Sequence, residues 1–432
     1  MKCHSVYKII IFVMLAVSFI APAAAETVQG DNFTLESALT YASQNNPQLR
    51  ALYHETEAAK YVIPQVKSLD DPNVSVWAFD APSGSFNLNE TQELWFSVSQ
   101  KIPLFGKLKH KGKIATAEMN MASESTRAKA LEIQTMVEHA FHMLFLLEKQ
   151  LDIARENLAM LRDYKKAALV KYESRTSEFD DPLKASLEMT QIEEDILGYE
   201  RDVTIAKARL NRLLGREPDK KIHVQYSRHG SGIALSEAEL IAAAKRNNPD
   251  IQSSHYAIDR SSASKKLAVR QFLPDVTLEA MYMKMKSGNN GMSYIASINV
   301  PFWGLTKQRN GVKEAKARLK ASESLNEDTI NGITENIISV YAEYLRAKKT
   351  VALYQRAALP ESRAALNSAR RAFESDKSTF LNLVEIWRRY KTIQDEYWQT
   401  LVGYESAITN MEQLVGISLR QFHSGEVINE KE

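Results

Sequence analysis

The side chains able to do chemistry are few. His139 and His142 stand three residues apart, a spacing that puts both on one face of a helix, where they could share a metal. No third ligand accompanies them, and structural sites take about four. Met281, Met283 and Met285 alternate along one strand-like face, with Met292 across a loop. Thioethers suit soft ions such as copper(I) or silver. The same run also reads as a flexible apolar face toward lipid or loop packing, and that reading is preferred because Met is a common gap-filler. Basic residues cluster at Lys107, Lys109, His110, Lys111 and Lys113, and again at Lys307, Arg309 and Lys313. They would lie within reach of anionic headgroups; a solvated first helical turn accounts for them nearly as well, and basic charge opposing the macrodipole mildly favours the functional reason. There is no phosphate-binding Gly loop, no H-E-x-x-H and no nucleophile elbow, so the motifs imply neither an enzyme nor a cofactor.

The elements that position these residues come in two sets. The stretch Gln100-Lys101-Ile102-Pro103-Leu104-Phe105-Gly106 is used again as Asn299-Val300-Pro301-Phe302-Trp303-Gly304. Each copy closes a strand-like segment of about nine residues, the length a tilted strand needs to cross a bilayer, and opens a long polar helix. Proline ends a β ladder because it has no N–H to donate, and glycine lets the backbone turn sharply. Pro103, Gly106, Pro301 and Gly304 are therefore strand-to-helix junctions.

Along the chain, Thr34 to about Leu69 reads as a helix capped by Asn32 or Thr34 and interrupted at Asn45-Asn46-Pro47. Segments Pro72 to Asp80 and Leu94 to Ile102 read as strands around the loop Ala81-Pro82-Ser83-Gly84-Ser85. In the second, Leu94, Phe96, Val98 and Ile102 alternate with Ser97, Ser99 and Lys101, and Gln100 breaks the apolar face. A helix then runs to about Tyr172. Leu144, Leu147, Leu151, Ala154, Leu158, Leu161, Ala168 and Tyr172 form a heptad seam interrupted by Lys165. Its length, roughly 100 Å, exceeds any globular core, so it must lie against equally long partners. A return helix spans Pro182 to Leu214 and stops at Gly215.

The pattern repeats after a polar linker. Leu235 to Ala244 opens a helix, Asn247-Asn248-Pro249 and Pro274-Asp275-Val276-Thr277 echo the first half, and two strands flank Ser287-Gly288-Asn289-Asn290-Gly291. The second long helix reaches about Phe373. Leu345, Ala352, Leu359, Leu366 and Phe373 recur every seventh residue, and Pro360 should kink or break it. The last helix ends at Leu414-Val415-Gly416. The organisation is a leader (1–25), a first repeat (26–215), a linker (216–233), a second repeat (234–416) and a tail (417–432).

Lys2 and Lys8, the apolar run Ile9 to Ile20 and Ala23-Ala24-Ala25 have the form of a secretory signal peptide. The single cysteine, Cys3, lies within it, so the processed chain needs neither disulfides nor thiolate ligands. The full chain carries 55 Lys+Arg against 53 Asp+Glu, and loss of Lys2 and Lys8 balances them. Nucleic acid is thereby not indicated. Beyond the leader no apolar run reaches the roughly 18 residues of a membrane-spanning helix, which still permits a β-barrel. Four strands per chain cannot close a barrel, whereas two chains would supply eight and three chains twelve.

The ordered, duplicated set resembles the TolC-like outer-membrane factor family over essentially the whole chain after the leader. The motifs are Leu35 to Pro47 with Leu235 to Pro249, both Pro-x-x-Gly junctions, the paired turns Glu173 to Pro182 and Glu374 to Phe380, and the endings at Gly215 and Gly416. The resemblance implies a mostly α fold, a homotrimer with a twelve-stranded outer-membrane barrel, a periplasmic helical tunnel and an irregular belt including the linker and tail. It implies a passive export conduit working with a periplasmic adaptor and an inner-membrane pump of the RND type. It carries the pore and adaptor tip onto Ser174, Arg175, Thr176, Ser177, Asp180, Asp181, Ser375, Asp376, Lys377 and Ser378. Triplicated carboxylates there would form an acidic ring, although Ser and Asp are also ordinary turn residues. His139 and His142 would face the polar lumen. The form Ile-Pro-Leu-Phe-Gly-Lys-Leu resembles members associated with heavy-metal cation efflux. Drug efflux and type I secretion are the alternatives within the family, and a periplasmic adaptor or helical scaffold is the alternative outside it.

Overall fold

The computed structural model describes residues 31–80, 91–174, 180–226 and 232–419. The leader, the loop Ala81 to Ser85, the turn residues Arg175, Thr176 and Ser177, and the tail after Leu419 lie outside them. β1 (Asn32–Phe33) leads into α1 (Leu35–Asn45) and α2 (Pro47–Lys67). β2 (Asn73–Phe79) and β3 (Glu93–Ile102) precede α3 (Lys107–Glu173), which returns as α4 (Asp180–Leu214). β4 (His223–Val224) follows. The same order then recurs as α5 (Glu237–Asn247), α6 (Pro249–Arg270), β5 (Asp275–Met285), β6 (Gly291–Asn299), α7 (Arg309–Leu353), α8 (Leu359–Glu374) and α9 (Phe380–Val415).

The repeated sequence motifs meet each other in space. Asn46 caps α2, its Oδ1 accepting from the backbone N–H groups of Gln48 and Leu49, with Pro47 at the first helical position. The Asn46 side-chain amide donates to the Leu213 carbonyl at 2.8 Å. Asn248 caps α6 in the same way and donates to the Leu414 carbonyl at 2.8 Å. Gly215 and Gly416 adopt left-handed φ values of 77° and 81°. A Cβ there would stand 2.5 Å from the Asn45 carbonyl oxygen or 2.6 Å from that of Asn247. Each Asn-Asn-Pro turn is thus clasped to a Leu-x-Gly helix end, a contact the sequence motifs alone did not disclose.

The helices form a wall rather than a globule. The sheet order is β2-β3-β5-β6, antiparallel throughout. The attached helices α2, α3, α6 and α7 pack in the same order. Farther from the sheet α3 lies between α4 and α9, and α8 packs on α9. Burial follows in separate stripes. One gathers Phe141, Leu144, Leu210 and Leu214, and another gathers Leu161, Phe373, Phe380 and Trp387. Each such side chain contributes roughly 1.5–3 kcal/mol on burial, and Trp387 is pinned by its indole N–H donating to Asn157 Oδ1 at 2.8 Å.

Three sequence expectations change. The α3 seam is buried at Leu144, Leu151, Ala154, Leu158, Leu161 and Ala168, but Tyr172 is exposed, because the packing stripe ends before the helix does. In the second long helix Leu345 is exposed, and Tyr344 and Val351 are buried instead, in heptad spacing. A π-helical turn at Tyr354–Ala358 inserts one residue, after which Leu366 and Phe373 carry the stripe. Pro360 explains the position: it cannot donate to the Arg356 carbonyl, and its ring crowds that carbonyl. The unbroken seven-residue count through Leu345 ran across this insertion. Finally, the linker is not wholly irregular, since β4 pairs in parallel with β1. Among the described residues no helix is long and apolar enough to cross a membrane.

Candidate functional site

The strands build two chemically distinct faces. Side chains alternate across a strand, and the register joins like with like. Val74 and Val76 meet Val98 and Phe96, Phe96 meets Tyr282, Gln100 meets Leu278, and Val276 and Leu278 meet Ile298 and Ala296. This face is apolar apart from Gln100 and, at the loop end, Lys284 opposite Leu94. Its one amide, Gln100, lies at the helix end and donates to the Asp70 carbonyl at 2.8 Å. The opposite face carries Ser75, Ser97, Ser99, Thr277, Glu279, Ser293 and Ser297, with Trp77, Phe79 and Trp95 near the loop end. Those rings contact one another, Phe79 and Trp95 at 4.6 Å between centroids.

The methionine strand divides between these faces. Met281, Met283 and Met285 lie on the polar face, opposite Ser97, Trp95 and Glu93. Met292 pairs with Tyr282 on the apolar face. Strand parity thus puts the three methionines on the face of the serines and Glu279, and Met292 on the other.

The two junctions differ in construction. At the first, Phe105 and Gly106 are both left-handed, with φ of 57° and 75°. Lys107, the first residue of α3, is buried, and its Nζ donates to the Leu273 carbonyl and to Asp275 Oδ1, both at 2.7 Å. Lys101 Nζ lies 3.6 Å from the other Asp275 oxygen. The first repeat's helix start is thereby tied to the second repeat's strand start. Lys107 is correspondingly not a free member of the basic cluster. At the second junction Gly304 is not left-handed and opens a π-helical turn, Gly304–Gln308. A Cβ there would meet only Phe272 ring atoms at 3.6–3.7 Å, so the change of direction does not require glycine. Phe302 and Trp303 are 84% and 68% exposed beside the sheet's helix end. In the remaining basic cluster, His110 sits near Arg270, Lys266, Lys113 and Lys109. Partial burial, and then those charges, hold its imidazole below the ordinary range.

At the far end of the wall the aspartates Asp180, Asp181 and Asp376 each have a lysine. Asp180 and Asp181 occupy the first turn of α4, and Lys184 Nζ lies 2.6 Å from Asp180 and 3.8 Å from Asp181. Asp376, left-handed at φ 59°, pairs with Lys171, whose ammonium also lies over the Phe373 ring. Ser174 and Ser375 donate to carbonyls one turn back, at Lys171 and Arg371. The Lys377 N–H donates to the Ala372 carbonyl, and Ser378 Oγ accepts from the Asn382 amide. Behind the tip, α9 grips α4 through Arg388 with Glu188 and Lys391 with Asp195, the latter at 2.6 Å. These cross-links between distant elements have no signature in local sequence.

The histidines do not form a metal pair. His139 bonds across to α9, its Nε2 2.9 Å from Asn410 Oδ1 and its Nδ1 3.3 Å from Ser406 Oγ. His142 is 2% exposed beside Phe141 and Tyr226. His139 is half-buried against α9, and His142 is buried beside the segment around β4. No group of three or more His, Cys, Asp or Glu able to hold a metal occurs among the described residues.

A duplicated wall of long helices crowned by a two-faced antiparallel sheet defines an outer-membrane channel protein. The chain matches the outer membrane efflux protein family over residues 38–216 and 240–416, one match per repeat, and belongs to that family. It is an outer-membrane efflux channel, a transport conduit rather than an enzyme. Such channels work with adaptor proteins and inner-membrane pumps in tripartite efflux systems of Gram-negative bacteria. The chain is 21% identical over 422 residues to the cobalt-zinc-cadmium resistance protein CzcC of Cupriavidus metallidurans, covering 93% of this chain and 98% of the relative. It shares its fold with CusC, at 17% identity and a TM-score of 0.77 over 89% of this chain and 92% of that one. It also resembles VceC, an outer membrane protein of Vibrio cholerae, at 17% identity and a TM-score of 0.74 over 89% and 96% of the two chains.

Proposed function

We propose that three copies of this chain close a twelve-stranded barrel and export heavy-metal cations. Three copies place twelve strands around one lumen, wide enough to pass a solute. β2 and β6 are the two edges of the four-stranded sheet. Unpaired edges in hydrocarbon would leave backbone groups unsatisfied, so β2 of one protomer pairs with β6 of the next. The apolar face meets lipid and the polar face lines the lumen. The substrate class rests on one observation, the similarity along nearly the full length of both chains to a cobalt-zinc-cadmium resistance protein.

An adaptor and an RND-type pump in the inner membrane supply energy and much of the selection. The adaptor docks at the tip formed by Ser174 to Asp181 and Ser375 to Ser378. The leader is removed near Ala25, and residues 216–233 with the tail contribute to a belt around the two repeats. Deletion of the protein followed by challenge with copper, silver, zinc, cobalt and organic drugs tests the reading. Heightened metal sensitivity is expected. Unchanged metal tolerance with increased drug sensitivity would replace it with drug efflux.

A further inference from the structure

We propose that Met281, Met283 and Met285 form a column of thioether seats for soft monovalent cations, copper(I) or silver(I), on the lumen wall. The proposal rests on the export reading above and turns it toward soft monovalent ions, a class other than the cobalt, zinc and cadmium named for the relative.

The placement is the first argument. Along β5 the polar face reads Asp275, Thr277, Glu279, Met281, Met283, Met285, from the helix end to the loop end. Oxygen donors give way to sulfur donors at mid-strand. The cross-strand neighbours of Met281 are Ser97 and Ser293, on a face that carries serine, threonine and Glu279 toward the helix end, with Ile295 opposite Glu279, and Trp77, Phe79 and Trp95 toward the loop end. Lipid contact does not account for the methionines, because Leu278, Tyr282 and Met292 supply the opposite face.

Access is the second argument. Met281 is the most shielded, at 7% exposure, while Met283 and Met285 are half-buried and open outward from it. Gly291 stands opposite Met283, and the Met283 methyl lies only 3.2 Å from where a Cβ on Gly291 would be. The missing side chain leaves Met283 room to swing. Trp95 flanks it on the other strand.

Chemistry then selects the ion. Thioethers are soft, neutral donors that favour copper(I) over zinc, cobalt or manganese, which prefer nitrogen and oxygen. Alternate residues stand about 7 Å apart along a strand, and the flexible Met side chain lets neighbouring sulfurs approach one ion between them. A conduit needs seats weak and numerous enough for the ion to leave again. Three uncharged donors in file provide a graded path toward the loop end.

The test uses the purified full-length protein in detergent, with silver(I) in chloride-free buffer as the probe. A Met281→Leu, Met283→Leu, Met285→Leu variant is compared with Met292→Leu, which alters the opposite face. Recovery of the variant with the wild type's helix content and oligomeric state establishes folding, and single Met283→Leu and Met285→Leu variants give the same reading if the triple variant does not assemble. The wild-type protein should show a sulfur shell around bound silver by X-ray absorption. The triple variant should lose about tenfold or more in silver affinity, and Met292→Leu should lose none. Zinc binding should be the same in all. Equal silver binding by the wild-type and column variants, or an equal loss on altering Met292, would overturn the proposal. Silver bound at the column by a protein whose deletion leaves metal tolerance unchanged would instead overturn the export reading and leave the site.

Discussion

The two repeats coincide at their clasps and diverge at their junctions. Asn46 with Gly215 and Asn248 with Gly416 have the same hydrogen bonds, the same left-handed glycine and nearly the same clearance. The junctions share Pro-x-x-Gly, yet one uses a left-handed pair and a buried lysine and the other a π-helical turn with exposed aromatics. The clasp's own hydrogen bond is made within a repeat, from each Asn to its own Leu carbonyl, and the second clasp is additionally held by Arg127 of the first repeat, which donates to the Asn247 and Gly416 carbonyls. The junction is made between repeats, where Lys107 meets Asp275 and the second copy has Leu305 in the matching place, 84% exposed. A duplicated chain keeps its motifs alike where the neighbours are alike.

Breaking the clasp should have the largest effect. At Gly215 or Gly416 a Cβ adds left-handed strain to a backbone clash, so Gly215→Ala and Gly416→Ala should each cost more than about 2 kcal/mol and sharply reduce assembled protein. Gly106→Ala, left-handed but with open space around its Cβ position, should cost about 1 kcal/mol. Gly304→Ala should stay within about 0.5 kcal/mol. Thermal dissociation of the oligomer ranks the four.

The junction asymmetry is sharpened next. Lys107→Met leaves Asp275 with only the more distant Lys101 as a cation, at 3.6 Å, and should cost about 1–3 kcal/mol, whereas Leu305→Ala should be nearly silent in the same assay. At the tip, Lys171→Ala removes a partly exposed ion pair worth at most about 1 kcal/mol. It should raise single-channel conductance in planar bilayers while leaving thermal dissociation almost unchanged. A conductance equal to the wild type would show that this pair does not hold the tip narrow.

The smallest effect concerns pH. Burial, and more weakly Asp195 and Glu396, push the Asp395 carboxyl up against the pull of Lys391. Its folded pKa therefore exceeds its unfolded one. As pH rises from the ordinary carboxylate range through the raised folded value, the unfolded state gives up its proton first, and stability falls before levelling off. Asp395→Asn should flatten that slope and raise the dissociation temperature slightly at neutral pH. An unchanged pH profile would contradict the assignment.

Much of the fold was legible because its signals are local. Asn46-Pro47 and Asn248-Pro249 mark helix starts, Gly215 and Gly416 mark helix ends, and period-two alternation from Leu94 to Val98 marks a strand. What was not legible depends on parity and on distant contacts. The face taken by Met281 follows from pairing with Ser97, nearly two hundred positions away in sequence, roughly as strand register dictates. The phase slip at Tyr354–Ala358 is one residue long and invisible to a seven-residue count. Lys107, Lys171 and Arg388 reach partners in other elements, so their residue types looked like ordinary surface charge.

Pairing of β2 with β6 between protomers can be measured directly, because the chain has one cysteine, Cys3, within the leader. Cysteines placed at Ser75 on β2 together with Ser293, Ile295 or Ser297 on β6 should, on oxidation in the outer membrane, give a ladder of covalent products that stops at three chains for at least one pair. A ladder ending at two, one continuing past three, or no cross-link at any of the pairs would contradict a closed ring of three.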